Sequence, residues 1–518
     1  MEGPPSKRRR LSDTDEDRSM KKPGETPASL SNPISPPRKR KNLERNLIPS
    51  PIRLTTIQDL PEEFNVGAVS LHDLLGDPLI AECWEFNYLH DVDFLMSHFD
   101  EDTRSLVKVH IVHGFWKKDD LNRISLEQRA SQYSNVTLHP AFMPEMFGTH
   151  HSKMLVLFRH DDTTQVIIHT ANMISKDWTN MTNGVWQTPL LPLLKDQGQP
   201  SETDMKLGRG SRFKVDLLNY LRAYNTRREI CEPMVKKLEK YDFSAVRGAL
   251  IASVPGKHDV NDEDPNKTHW GWAGIKHALS SVPIQAGKSD IVVQISSIAT
   301  LGATDNWLKR TLFDALSPGA RANTPKPEFK IIFPTPDEIR CSLDGYASGG
   351  SIHTKIQSST QAKQLQYMKP IFYHWANDCE KGTIEEGTPQ DGGRKRAAPH
   401  IKTYIRHNEN KTIDWALLTS ANISKQAWGE AANAGQLRIA SWEIGVLVWP
   451  ELFADKARMV STFMTDMPAK EDLGGDAPLV GFRIPYSLPL QKYGSGEVPW
   501  VASASYDEPD RNGCVWRR

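Results

Sequence analysis

The sequence predicts an α/β protein, with sheets covered by helices and a repeat that divides it into two similar halves, behind a disordered N-terminal tail. Three observations carry this. From about residue 65 onward, short apolar β-branched runs alternate with helical stretches. A group of motifs recurs in the same order after about 250 residues. Before either, the chain opens with a stretch rich in Pro, Ser and charge and poor in aromatics, which buries too little apolar surface to offset ordering.

The predicted strands are Val107–Val112, Met154–Phe158, Val166–Ile168, Ala249–Ser253, Ile291–Ile295, Phe329–Phe333, Trp415–Thr419 and Gly445–Trp449. Helical stretches lie between them at Arg212–Arg222, Met234–Lys240 and Thr360–Met368. A chain of 518 residues exceeds one ordinary core, and 14 Trp, 17 Phe and 12 Tyr supply apolar volume for more than one. The expected division is a tail over 1–55, a first half over 56–247 and a second over 248–518, with the boundary where a charged helix ends at Tyr241 and a new strand starts.

Net charge is zero, but residues 1–50 hold 12 Lys/Arg against 7 Asp/Glu. The basic runs Lys7–Arg10 and Arg38–Lys41 in a flexible tail predict nuclear import. Any nucleic-acid groove in the rest must be a local basic patch on a mildly acidic body. Ser12 precedes an acidic run, and Ser35 and Ser50 precede prolines, which are weak phosphorylation signals. No window approaches ~18 consecutive apolar residues, so no membrane span is expected. The charged N-terminus has no secretory character. Five scattered cysteines without a CxxC pair predict reduced thiols, neither a disulfide framework nor a zinc site.

The repeat is the informative feature. Its first copy is His151-Ser152-Lys153, an apolar strand, Thr170-Ala171-Asn172 and Trp178. Its second is His400-Ile401-Lys402, a strand, Ser420-Ala421-Asn422 and Trp428. Lys and Asn are 19 residues apart in the first copy and 20 in the second, and Trp follows Asn by six in both. One His-x-Lys is a weak motif; the full set twice in register is a strong one. On a strand, residues i and i+2 share a face, so His and Lys point together and His150 points away to a structural role. Two copies facing each other put two His, two Lys and two Asn around one phosphate. One imidazole, neutral, attacks phosphorus. The other, protonated, serves the leaving oxygen and then accepts a proton from water. That division requires different proton affinities and predicts a bell-shaped pH–rate profile. No metal or other cofactor is called for. A third His-x-Lys, His353-Thr354-Lys355, lacks the Ala-Asn partner and is expected in a loop beside the groove.

The paired motif resembles the phospholipase D superfamily. The superfamily's Asp five residues after Lys is replaced here by Phe158 and His407. That departure, with Phe86-Asn87-Tyr88, Phe147–His151, Gln294–Ser297, Pro399–Tyr404 and Thr419–Lys425, resembles the tyrosyl-DNA phosphodiesterase branch from about residue 60 to the end. The resemblance implies a pseudo-twofold pair of α/β/α sandwich halves, with His151 as nucleophile and His400 as general acid, then base. It implies Lys153, Lys402, Asn172 and Asn422 as phosphate ligands. Glu443 resembles the carboxylate that orients the second histidine, and Asn183 stands where the first half has an orienting Gln. Tyr88, Phe147, Ser297, Thr300, Ser351, Ser424 and Lys425 are implied to contact DNA. The implied substrate is a DNA 3′ end carrying a topoisomerase I-derived tyrosine or another blocking group, with a 3′-phosphate as product, acted on by a nuclear monomer. A phospholipid-directed enzyme of the superfamily and an inactive DNA scaffold are the competing readings. The missing Asp argues against the first, and the complete His/Lys/Asn set against the second.

Overall fold

Strand Met154–Arg159 shows how the first half is assembled. Met154, Val156 and Phe158 enter one apolar core, while Leu155 and Leu157 enter another on the opposite face. Helices Leu71–Leu75, Val92–Ser97 and Leu121–Ala130 cover the second face. Helices Gly210–Ala223 and Glu232–Leu238 cover the first. The result is an α/β/α sandwich, as expected. It is seen in a computed structural model that describes residues 46–195, 203, 205–318, 325–433, 435–472 and 476–517.

The sequence repeat is also a repeat of topology. The first sheet runs Ile52–Leu54, Gly184–Gln187, Thr163–His169, Met154–Arg159, Ile80–Phe86, Lys108–His113, Val136–Pro140. The second contains, in matching order, Ala249–Ser253, Glu443–Val448, Thr412–Thr419, Thr403–Asn408, Ser289–Gln294, Glu328–Ile332, Phe372–Tyr373. In both, the first four pairings are antiparallel and the last two parallel. Each His-x-Lys therefore opens the central strand of its own sheet, and the next strand returns antiparallel and ends three residues before the Asn. The predicted strand at 249–253 is matched residue for residue, and the others within a few residues at each end.

The tail ends earlier than expected. Leu47–Ile48 pairs in parallel with Leu479–Val480, and Ile52–Leu54 pairs with Gly184–Trp186. Ile52 and Leu54 are buried, so an apolar alternation too short to stand out beside Pro and Ser is held by strands far away in sequence. Ser50 is buried as well: its hydroxyl donates to the Ile52 carbonyl and accepts from the Arg483 N–H, so it is no exposed phosphoacceptor. Both basic runs, Ser12 and Ser35 lie outside the described residues.

The second half holds a buried ion pair, Arg406 Nε to Asp414 Oδ2 at 3.0 Å, and Asn408 also donates to Asp414 at 2.9 Å. Asp414→Ala leaves a guanidinium charged and enclosed, and is expected to cost roughly 3–5 kcal/mol. The measurement is the urea unfolding midpoint; a loss under about 1 kcal/mol, as for an exposed pair, would contradict it.

Candidate active site

Each His-x-Lys lies in an extended segment just ahead of a strand, not on the strand as the spacing predicts. The cause is pairing between halves. His150 bridges to Trp442, and Pro399 to Thr182. The His151 N–H donates to the Trp442 carbonyl at 3.0 Å, and the Trp442 N–H to the Thr149 carbonyl at 2.9 Å. Correspondingly, the His400 N–H donates to the Thr182 carbonyl and the Thr182 N–H to the Ala398 carbonyl, both at 3.0 Å. Close approach at the first strap requires a glycine, because a Cβ on Gly148 would stand 1.9 Å from the Ala440 carbonyl oxygen.

The strap places the next residue of each half against the other half's imidazole. Glu443 Oε2 lies 3.0 Å from His151 Nδ1, and Asn183 Oδ1 lies 3.1 Å from His400 Nδ1. This reverses the expected assignment, in which Glu443 served the second histidine and Asn183 the first. The halves cross, so each orienting group reaches over the pseudo-twofold. Each is backed by a hydroxyl: Ser420 donates to Glu443 at 2.5 Å, and Thr170 to Asn183 at 2.8 Å. Thr170 and Ser420 stand at equivalent places in the repeat, two before the Asn, and that equivalence was the available signal for their role. His150 is buried between the Asn87 carbonyl and the Tyr224 hydroxyl, a structural position as expected.

Asp177 was missed because the repeat hides it: its counterpart in the second copy is Ala427. It is fully buried, and its Oδ2 accepts from the Asn172 N–H at 2.7 Å and Asn172 Nδ2 at 2.9 Å. The same oxygen lies 3.2 Å from His400 Nδ1. Asn422 is held differently, its Oδ1 accepting from the N–H groups of Ser296 and Ser297 at 3.0 and 2.9 Å, which leaves Nδ2 for a ligand. Lys153 and Lys402 are both buried, each donating to the carbonyl of the histidine two residues before it.

Burial dominates the electrostatics. It lowers His151, against which the Glu443 carboxylate works. It lowers His400 further, reinforced by Lys402, Lys153 and His151. Burial thus works against the charged form of both imidazoles, more strongly at His400 than at His151. Burial brings Lys153 down to about 8 and depresses Lys402 strongly. Burial alone would raise Glu443, but His151, Ser420 and Lys153 hold it below the usual carboxylate range. Asp177 is raised by burial. An anion among these four basic groups would favour their charged forms.

Around the rim, the Tyr88 ring lies 5.7 Å from that of His151, and Phe147 is 78% exposed beside it in sequence. Ser297 reaches the site through its N–H to Asn422. Other groove candidates are engaged locally: Thr300 accepts from Gln361, Ser424 caps helix Lys425–Trp428, Lys425 lies 3.6 Å from Glu430, and the Ser351 N–H bonds to Ser348. The third His-x-Lys flanks the site through its backbone, His353 bonding to Ser296 and Ile298.

Duplicated sheets that bring paired histidines, lysines and asparagines together where the two halves cross define a phospholipase D-like phosphodiesterase. Residues 51–494 match the profile of the tyrosyl-DNA phosphodiesterase family, and the chain belongs to that family. It is 32% identical to a probable tyrosyl-DNA phosphodiesterase of Schizosaccharomyces pombe, over 93% of this chain and 99% of that protein. It is 30% identical to tyrosyl-DNA phosphodiesterase 1 of Arabidopsis thaliana, over 91% of this chain and 77% of that one. The fold matches the crystal structure of the yeast tyrosyl-DNA phosphodiesterase with a TM-score of 0.62 at 21% identity, over 87% and 98% of the two chains.

With Lys153 depressed to about 8, its charge is present below that pH and lost as pH rises through it. Sulfate, whose charge is constant across this range, is expected to bind more weakly above about pH 8, as read by calorimetry. Lys153→Met should flatten that fall; an unchanged pH dependence would remove Lys153 from the anion site.

Proposed function

We propose that this phosphodiesterase hydrolyses the phosphodiester joining a DNA 3′ end to a tyrosine, such as one left by topoisomerase I, through a covalent phosphohistidine. The observation that carries the reading is the crossed pair of imidazoles, each held at Nδ1 by the opposite half and each followed two residues on by a buried lysine. In the first step His151 Nε2 forms a bond to phosphorus and the phosphorus–tyrosine oxygen bond breaks. His400 supplies the proton to that oxygen. In the second, water attacks phosphorus, the P–N bond breaks, and His400 takes the water's proton, leaving a 3′-phosphate.

Three features support this division. Glu443 gives His151 an anionic partner that fixes the Nδ1–H tautomer and raises its basicity. His400 lacks such a fixed charge, and the phosphodiester anion lodged between Lys153 and Lys402 restores its proton affinity, with Asp177 behind it. Lys153, Lys402, Asn172 and Asn422 surround the non-bridging oxygens. No step calls for a metal ion. Tyr88, Phe147 and the hydroxyls at 297, 300, 351 and 424, with Lys425, suit a single-stranded end, through ring stacking and contacts to the backbone. The basic tail suits a nuclear repair enzyme, acting as a monomer.

A 3′-phosphotyrosyl oligonucleotide in excess EDTA is expected to yield the 3′-phosphate on a sequencing gel. His151→Ala should abolish turnover while DNA affinity persists. A tyrosinate leaving group (pKa about 10) needs less acid help than water needs base help. Replacing His400 by a residue that cannot act as base should therefore slow the second step more and leave protein–DNA adducts. Loss of activity without a trapped adduct in any His400 variant would count against these roles, and no conversion by folded protein against the substrate.

A further inference from the structure

Away from the two half-sites, three side chains with metal-binding atoms converge where two parallel strands end. Glu338 sits in the short helix Pro336–Arg340, which follows strand Glu328–Ile332; His374 directly follows strand Phe372–Tyr373; Cys379 lies five residues on. The pairing of Ile332 with Tyr373 brings these ends together. His374 Nδ1 is 3.1 Å from Glu338 Oε2 and 3.4 Å from Cys379 Sγ, and Sγ is 3.9 Å from Glu338 Oε1. Tetrahedral ligands bound at about 2.0–2.3 Å stand roughly 3.3–3.6 Å apart. The imidazole faces one Glu338 oxygen and the thiol the other, and one ligand atom from each of the three residues lies within 4.8 Å of the other two, so a modest turn of the carboxylate brings the set to the size of a zinc site.

The surroundings are those of a built site. His374 is fully buried, and its Nε2 lies 3.1 Å from Glu497 Oε2, the carboxylate behind the ring that fixes a ligating imidazole. Glu497 is itself held, accepting from the Gly494 N–H at 2.6 Å. Gln491 grips the Cys379 backbone from both sides, Oε1 to N–H at 3.0 Å and Nε2 to the carbonyl at 2.8 Å. The Cys379 thiol stays partly exposed, which gives an ion a way in.

We propose that Glu338, His374 and Cys379 bind one Zn2+ ion, with Glu497 holding the His374 ring and water completing the tetrahedron. The Cys379 thiolate and the Glu338 carboxylate cancel the charge of the ion, and the Glu497 carboxylate is satisfied by the His374 N–H and the Gly494 N–H. The ion clamps the 336–340 helix, the 374–379 loop and the C-terminal segment around 491–497. Its role is structural and separate from phosphodiester cleavage. The ligands are spread over positions 338, 374 and 379, without the short spacing that marks a zinc site in sequence.

The test uses full-length protein stripped with EDTA and titrated with Co2+, then Zn2+. One equivalent of Co2+ is expected to give a thiolate-to-cobalt charge-transfer band, and Zn2+ to displace it and raise Tm. Cys379→Ser should abolish the band and weaken binding at least tenfold. Glu497→Gln should keep the band with about 10–100-fold weaker affinity. Cobalt binding without the band, the same band in Cys379→Ser, or a wild-type Tm that Zn2+ leaves unchanged would overturn the proposal and make the cluster a proton-bridged ion pair.

Discussion

The exchange of backbone hydrogen bonds between the halves is the constraint on which the site depends. His151 lies 292 positions from the carboxylate that holds its ring, and His400 lies 217 positions from its amide. Neither half can orient its own histidine. Sheet pairing within each half fixes where a motif leaves its strand, and the straps at Trp442 and Thr182 fix where it arrives. Misplacing either strap by one residue would present the wrong side chain to the imidazole, since neighbouring residues in extended chain point to opposite faces.

Once the straps close, two lysines and two histidines are enclosed in one volume with Glu443 and Asp177. Burial works against every charge there. The protein offsets this unevenly: Glu443 stays ionised next to His151, whereas Asp177 is pushed toward its neutral form near His400. An anion placed among these basic groups would favour their charged forms, so proton affinity and anion binding are coupled there.

Much of this was legible in the sequence, for reasons that can be named. The sheets were visible because their central strands are continuous apolar runs such as Trp415–Thr419, buried on both faces. The six paired His, Lys and Asn residues were visible because they recur in register. What the repeat could not carry was anything present in one copy only, or anything that depends on which half faces which. Asp177 faces Ala427 in the repeat and so left no trace. The partners of Glu443 and Asn183 were exchanged because proximity in sequence was a poor guide to a crossed interface. Residues 46–55 were assigned to the tail because their few apolar side chains find strands only by long-range pairing.

The single-chain joining of the two halves has its own consequence. Two identical subunits meeting on a twofold axis would bring the same orienting residue to both histidines, and the two rings would be chemically equivalent. Here the equivalent places hold Glu443 and Asn183, one anionic and one neutral, and Asp177 adds a further difference. Covalent fusion lets the copies diverge in sequence while their backbones keep the symmetric frame. The architecture is symmetric in the paired His, Lys and Asn and asymmetric in the groups that back the two imidazoles.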